Sequence, residues 1–270
     1  MRAETLRDPP LIESFLRRNE AAHVYAIADL DEPFWDDTRW FGALEGDALR
    51  ALCLLLDGLH IPILYAVCPA GDTATRWLLE QIRDALPPMF FYNLGPGLTS
   101  VFDGDWRIAA EGTYWKMHLE DPSTCAAVEG ADVEPLGPGD FDEVRAFFDD
   151  EAYREDELGG LFFERTMLET GCYRAVREAG GLVAVGGVHV HSRRFGVAGI
   201  GNVVTRPSHR GRGLARKLSA AVVRALAGDV ATIGLNVRED NEPALRCYRR
   251  LGFQPVLPYE EGVASSATTR

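Results

Sequence analysis

The stretch from Val203 to Ala215 constrains the fold of this chain most strongly, because it joins a strand end, a glycine-rich turn and a helix start. It reads Val-Val-Thr-Arg-Pro-Ser-His-Arg-Gly-Arg-Gly-Leu-Ala. Pro207 cannot donate to a sheet ladder, so the β-prone residues 203–205 end a strand. Beyond the glycines, apolar residues recur at the spacing of one helix face, at Leu214, Leu218, Val222 and Ala225. The stretch therefore predicts a strand, a tight turn and a helix in succession.

The predicted turn has the chemistry of an anion site. The first backbone N–H groups of a helix lack internal partners and lie at the positive end of its dipole, so they bind phosphate well. Gly211 and Gly213 remove the Cβ atoms that would keep phosphate oxygens away. The stretch also holds five basic residues with no acid between them in sequence: Arg206, Arg210, Arg212, Arg216 and Lys217. The alternative is an ordinary helix start on a solvated face.

The turn is neither a Walker A loop, which needs Lys-Ser or Lys-Thr after its second glycine, nor a GxGxxG loop. It resembles the pyrophosphate loop of the GNAT superfamily of acyl-CoA-dependent N-acyltransferases, whose pattern is filled by Arg210, Gly213 and Ala215. The resemblance implies that the main chain of Val203, Val204 and Thr205 pairs with the pantetheine arm of acetyl-CoA or another acyl-CoA. It also implies that a run of amides holds the pyrophosphate, namely those of Gly211, Arg212, Gly213, Leu214, Ala215 and Arg216.

A second segment, Leu235 to Phe253, resembles another part of the same superfamily: a strand, an asparagine, an alanine-containing helix, a tyrosine and Leu-Gly-Phe. Asn241 is expected to cap the helix, and Tyr248 follows seven residues later, about two turns along the same face. The resemblance implies that Asn241 bonds the pantetheine or the neighbouring backbone. It implies that Tyr248 is catalytic and donates to the leaving thiol. The alternative for Tyr248 is a core aromatic.

No general base can be assigned by the resemblance. Some relatives carry a glutamate five residues before the asparagine, and this chain has Asn236 there. His189 and His191 share a strand face and are candidates, as are Glu164 and a water chain; a zinc site on the two histidines lacks further ligands. The acidic run 149–157 could attract a cationic amine, although a solvated loop explains it more simply.

The order of elements predicts an α+β fold of the three-layer α/β/α type, with a mixed, mostly antiparallel twisted sheet flanked by helices, as in GNAT proteins. Residues 125–270 would form the catalytic domain and residues 1–124 a second α/β N-terminal domain. The charge changes at this boundary, since residues 1–124 carry 10 basic and 20 acidic residues and the remainder 18 and 21. The first domain could be a degenerate GNAT-like domain or an unrelated α/β cap. Asp57-Gly58 is expected to be a two-residue hairpin turn, and Phe253–Leu257 the last strand.

The net charge of −13 argues against nucleic acid or an anionic membrane as the main partner. The N-terminus lacks the apolar core of a signal peptide, and five cysteines without a CxxC pair indicate reduced thiols, so we expect a cytoplasmic protein. The expected function is transfer of acetyl from acetyl-CoA to a primary amine of a small molecule or peptide, with no metal, by a monomer or homodimer. The alternative is a non-catalytic acyl-CoA-binding or sensor protein.

Overall fold

The structure is a computed structural model that describes residues 1–130, 132–150 and 163–267. The chain divides into two compact units. The N-terminal unit holds Met1–Lys116, Arg238–Asp240 and the chain from Pro255 onward. The C-terminal unit holds Met117–Val237 and Asn241–Gln254. No helix among the described residues is both long and apolar enough to cross a bilayer.

The N-terminal unit is built on a sheet with the strand order β1-β2-β3-β4-β5-β12-β6. Its strands are β1 (Arg2–Leu6), β2 (Thr38–Glu45), β3 (Ala48–Leu56), β4 (Ile63–Ala66), β5 (Met89–Leu94), β6 (Trp106–Leu119, shared with the other unit) and β12 (Phe253–Ser266, mostly in this unit). Its helices are α1 (Pro9–Leu16), α2 (Val24–Ala28) and α3 (Thr73–Ile82). The apolar side of α3, with Leu78, Leu79 and Ile82, packs into the core against β2 and β3.

The C-terminal unit is built on strands in the order β11-β10-β9-β8-β7. These strands are β7 (Glu134–Pro135), β8 (Arg174–Glu178), β9 (Gly181–Ser192), β10 (Val197–Thr205) and β11 (Thr232–Arg238). Its helices are α4 (Phe141–Phe148), α5 (Arg165–Glu169), α6 (Leu214–Leu226) and α7 (Glu242–Arg250). Leu214 and Leu218 of α6 pack on Val176 and Val183, which fixes the start of α6 against the sheet.

The first five strands of each unit follow the same pairing scheme. Strands β1 to β4 pair antiparallel in succession, and β4 and β5 run parallel with α3 between them. Strands β7 to β10 likewise pair antiparallel, and β10 and β11 run parallel with α6 between them. In both units helices separate the first strand from the second. The predicted mixed, mostly antiparallel α+β fold is confirmed.

The predicted two-residue turn at Asp57-Gly58 is wrong. Leu56 pairs with Ile63, so the connection spans residues 57–62. The Asp57 N–H donates to the Asp37 carbonyl oxygen at 2.8 Å, and a Cβ on Gly58 would lie 2.3 Å from Asp37 Oδ2, so the chain continues beside Asp37 instead of turning. A two-residue turn does occur one hairpin earlier, where Glu45 pairs with Ala48 across Gly46 at φ +61°.

Other differences lie at the ends of the chain. The last strand runs to Ser266, beyond the predicted end at Leu257, because Glu260 to Ser265 pair with β5. Strand β1 was not expected; its ladder to β2 joins Arg2 to Leu44 and Leu6 to Trp40. The acidic run 149–157 lies largely outside the described residues, which resume at Phe163 and include α5.

Candidate active site

The end of strand β10 parts from its parallel neighbour. Its pairing with β11 covers Val197 to Ile200 against Thr232 to Leu235, although both strands continue further. On its other edge β10 stays paired, with Val204 opposite Val185 and Thr205 opposite Ala184. Val203, Val204 and Thr205 therefore form a half-buried strand end that is open on the β11 side in the described part of the chain.

An irregularity just before this strand end has identifiable side-chain causes. The β9–β10 register shifts between Gly201 and Val204, and Asn202 adopts φ +53°. The Asn202 side chain bonds His189 Nε2 at 2.8 Å and donates to the Tyr173 hydroxyl at 2.9 Å. A Cβ on Gly201 would lie 2.4 Å from the His189 ring, so glycine is needed for this close approach. The network holds the bulge that redirects residues 203–205.

The turn into α6 leaves its amides open. Gly211 and Gly213 both have φ +77°, and no atom lies within 4 Å of the position that a Cβ would take on either. The first helical bond of α6 runs from the Lys217 N–H to the Gly213 carbonyl oxygen at 3.1 Å. Among the described residues, none accepts a hydrogen bond from the six consecutive N–H groups of residues 211–216. These amides lie at the positive end of a 13-residue helix and form a cradle that can bind an anion.

Acidic residues from distant parts of the sequence neutralise much of the basic charge around this turn. Arg212 forms a bidentate ion pair with Glu178. These hydrogen bonds lower the pKa of the Glu178 carboxyl. Lys217 binds the Asp132 carboxylate at 2.8 Å, and Arg206 binds Asp150 at 2.8 Å. The sequence pattern, with no acid among its basic residues, gave no sign of these pairs. The open amides, more than the side-chain cations, are left to bind an anion.

The two remaining arginines of the turn are exposed. Arg210 turns back, and its Nε donates to the Thr205 carbonyl oxygen at 3.3 Å. Arg216 lies in the first turn of α6, and no described residue forms an ion pair with it. Leu214 is buried beneath the turn, and Ala215 is half-buried beside it.

Two buried polar atoms at the strand ends lack partners among the described residues. Thr205 Oγ1 lies on the open end of β10, and Asn236 Oδ1 lies on β11 just beyond the paired stretch. An unmet buried polar atom costs free energy, on the order of 1–3 kcal/mol. Both atoms therefore suit a ligand that forms hydrogen bonds between the two separated strand ends. Sequence reasoning gave no sign of the unmet Thr205 hydroxyl.

Helix α7 positions Asn241 and Tyr248. The Asn241 side chain caps α7 by accepting from the Ala244 N–H at 3.1 Å, as its place before Pro243 predicts. Tyr248 is half-buried, and its ring meets Phe253 edge to face at 5.8 Å between centroids. Burial raises the pKa of the Tyr248 hydroxyl, so it keeps its proton at neutral pH. No described residue bonds this hydroxyl.

The candidate bases differ in their surroundings. His189 belongs to the Asn202 network, and burial lowers its pKa. His191 Nε2 lies 4.0 Å from Asp229, and burial lowers its pKa as well. Glu164 is exposed at the start of α5. Within the described residues, no group of three His, Cys, Asp or Glu side chains could hold a metal ion.

A family model described as the acetyltransferase (GNAT) family matches residues 140–253. The match covers α4 through α7 and includes every candidate site residue named above.

Solved structures share the fold along nearly the whole chain. A GNAT-family protein from Novosphingobium aromaticivorans DSM 12444 has a TM-score of 0.58 at 19% identity, over 89% of this chain and 96% of its own. A GCN5-related N-acetyltransferase from Sphaerobacter thermophilus has a TM-score of 0.57 at 22% identity, over 97% and 94%. A tandem GNAT protein from the clavulanic acid biosynthesis pathway has a TM-score of 0.54 at 16% identity, over 100% and 99%. At these identities the likeness concerns the fold.

Proposed function

Because residues 140–253 match the acetyltransferase (GNAT) family model, we propose that the C-terminal unit transfers acetyl from acetyl-CoA to a primary amine. The amine would belong to a small molecule or a peptide. The acetyl group would pass directly from sulfur to nitrogen, with no covalent enzyme intermediate.

One observation carries this proposal: the six unbonded amides of residues 211–216 at the start of α6. A diphosphate supplies several charged acceptor oxygens, which suit N–H donors at a helix N-terminus. The strand end at 203–205 lies immediately before this cradle, and Thr205 Oγ1 is unmet there. A ligand with a diphosphate joined to an amide-containing arm satisfies both features.

The chemistry of the step assigns separate tasks to the chain. The amine lone pair attacks the thioester carbonyl carbon, a C–N bond forms and the C–S bond breaks. The proton lost by nitrogen ends on the departing sulfur, so the products are an amide and the coenzyme A thiol. Holding both reactants in one cleft supplies much of the rate, because the reaction becomes effectively intramolecular.

Tyr248 would stabilise the departing sulfur. Its hydroxyl stays protonated because burial raises its pKa. The pKa of a thiol is about 8.5, which is below that of the Tyr248 phenol. Full proton transfer from the Tyr248 hydroxyl to a thiolate is therefore unfavourable. Hydrogen-bond donation to the developing thiolate is therefore its main contribution, with proton relay from nitrogen to sulfur completing the step.

A sensor protein that binds acyl-CoA without acylating anything is the second candidate, because Asn236 occupies the position where some relatives carry an acid. Two measurements on the same protein separate the candidates. Calorimetry with coenzyme A tests binding, and release of thiol from acetyl-CoA tests transfer against a panel of a polyamine, an amino sugar, an amino acid ester and a lysine peptide.

The acetyltransferase proposal expects coenzyme A binding together with thiol release that depends on at least one amine. Binding without release for every amine would favour the sensor. Absence of coenzyme A binding would contradict both candidates.

A further inference from the structure

The N-terminal unit contains a cavity of about 150 Å³ that the acetyl-transfer site does not use. Its walls are mainly apolar and come largely from α1 and four strands, β2, β3, β4 and β12. They include the buried residues Leu16, Trp40, Leu52, Leu54 and Val67. Its mouth includes the exposed residues Asn19, Arg50 and Pro69. The cavity therefore joins an apolar interior to the solvent.

One buried polar side chain lines this cavity with a free acceptor. The Tyr65 hydroxyl donates its one proton to the Ala22 carbonyl oxygen at 3.1 Å, so it must accept from His23 Nδ1, which lies 3.0 Å away. The proton of the neutral imidazole is thereby placed on Nδ1, and Nε2 carries the lone pair. No described residue bonds Nε2, and His23 is only 9% exposed. A hydrogen-bond donor inside the cavity can meet this atom.

Charged groups of both signs surround the cavity, with Arg50 and Asp72 in its lining and Lys116 near Asp29 and Glu261, so neither a cation nor an anion is favoured. Burial, together with the nearby Lys116 ammonium, lowers the pKa of His23 to about 4, so the ring is neutral at physiological pH. Lys116 itself is buried among the rings of Tyr25, Tyr65 and Tyr259, within 4.9, 5.2 and 4.2 Å of their centroids. Its positive charge works against a cation at Nε2. The Asp72 carboxylate, which also lines the cavity, works against an anion.

We propose that this cavity binds a small neutral molecule with one aromatic or cyclic apolar ring and one hydroxyl, which donates a hydrogen bond to His23 Nε2. The size fits, because an engineered apolar protein cavity of about 150 Å³ is known to hold benzene. The hydroxyl supplies the donor that Nε2 lacks, and the ring replaces the solvent against Trp40 and the leucines. The site is separate from the proposed coenzyme A cradle, which belongs to the C-terminal unit.

A matched set of ring compounds tests this assignment on the full chain. Phenol, toluene, benzoate and benzylamine are titrated separately, and binding is followed by saturation-transfer and protein-detected NMR. We expect saturable one-to-one binding of phenol, about tenfold weaker binding of toluene because it lacks the donor, and no saturable binding of the two charged compounds. Equal affinities of phenol and toluene, or tighter binding of a charged compound, would overturn the proposal.

Two variants locate the binding. His23→Phe keeps a ring but removes Nε2, so phenol should weaken about tenfold to the level of toluene, while toluene is unchanged. Leu52→Trp adds volume to the cavity wall and should abolish binding of both compounds, with folding checked by circular dichroism. Equal weakening of both compounds by His23→Phe would refute the hydrogen bond. If either variant fails to fold, the comparison of phenol with toluene on the unaltered chain still tests whether the bound molecule donates a hydrogen bond.

Discussion

The turn from β4 into α3 and the turn from β10 into α6 occupy the same place in the two units, but they treat the helix N-terminus in opposite ways. In the N-terminal unit, Asp72 caps α3, and its carboxylate accepts from the Thr75 N–H at 2.7 Å. In the C-terminal unit, Gly213 stands at the cap of α6 and has no side chain to offer. A carboxylate at the cap occupies an amide and repels phosphate, so the cap residue is one cause of the difference between the two helix starts.

The N-terminal and C-terminal units differ in two further ways. The strand before the turn ends in apolar Ala66 in the N-terminal unit and in Thr205, with its unmet hydroxyl, in the C-terminal unit. After the fifth strand, the N-terminal unit has only a short 3-10 helix, Leu98–Phe102, whereas the C-terminal unit has α7 with Tyr248. A shared scaffold thus carries the features proposed to bind coenzyme A in one unit. We propose that the N-terminal unit is a degenerate GNAT-like domain.

The largest expected effect comes from closing the open turn. Gly213→Glu introduces a side chain and a negative charge where the diphosphate would lie, so coenzyme A affinity should fall at least about a hundredfold, the equivalent of losing two charge-assisted hydrogen bonds. Calorimetry measures the change. The matched control is Gly71→Glu, because Gly71 has φ +79° and open space around it one residue before the cap of α3. Similar losses of affinity in both variants would show that the effect is not local to the cradle.

The next effect concerns Tyr248, which lies on α7 after the fifth strand of the C-terminal unit. Tyr248→Phe should lower kcat by about a hundredfold, because one donor to the developing thiolate is lost, and should leave coenzyme A affinity within about twofold. Tyr92→Phe is the control, since the Tyr92 hydroxyl also has no partner among the described residues, but lies in the N-terminal unit. An unchanged kcat in Tyr248→Phe would remove Tyr248 from the mechanism.

At the strand end 203–205 we expect two smaller effects of one substitution, a gain in stability and a loss of coenzyme A affinity. Thr205→Val removes an unmet buried hydroxyl without changing the side-chain volume, so the free energy of unfolding without ligand should rise by about 1 kcal/mol. Coenzyme A affinity should fall about three- to tenfold, because a ligand hydrogen bond is lost. Urea unfolding and calorimetry measure the two quantities.

The matched control for this strand-end prediction is Thr170→Val. The Thr170 hydroxyl donates to the Met167 carbonyl oxygen at 2.6 Å, so its removal should destabilise the protein. If Thr205→Val destabilises in the same way and leaves coenzyme A affinity intact, Thr205 does not contact the ligand.

The smallest effect tests whether the cap alone closes the N-terminal unit. Asp72→Ala should lower the free energy of unfolding by about 1 kcal/mol through loss of the cap, as should Asp8→Ala at the cap of α1. Coenzyme A should still bind at one equivalent, since residues 67–72 contain no basic residue and a single glycine. A second binding equivalent in calorimetry would mean that Asp72 by itself keeps the ligand out.

Much of the candidate site could be predicted because its signals are local. Gly211, Gly213 and the apolar spacing of α6 lie within one short stretch, and Asn241 caps a helix that starts beside it. The ion pairs that neutralise the turn could not be predicted in this way. Arg212 and Glu178 are 34 residues apart, and Lys217 and Asp132 are 85 apart. Nothing in the local pattern of either partner specifies the other.

By itself, the sequence determined where strands give way to helices and which helix start is open, because caps, glycine conformations and apolar spacing act over a few residues. Only the tertiary structure decided where β10 parts from β11, which polar atoms stay unmet at that point, and that Glu260 to Ser265 pair with β5 in the N-terminal unit. These outcomes depend on pairing between residues far apart in the chain. Such pairing is settled by how complete strands pack together, which no short stretch of residues encodes.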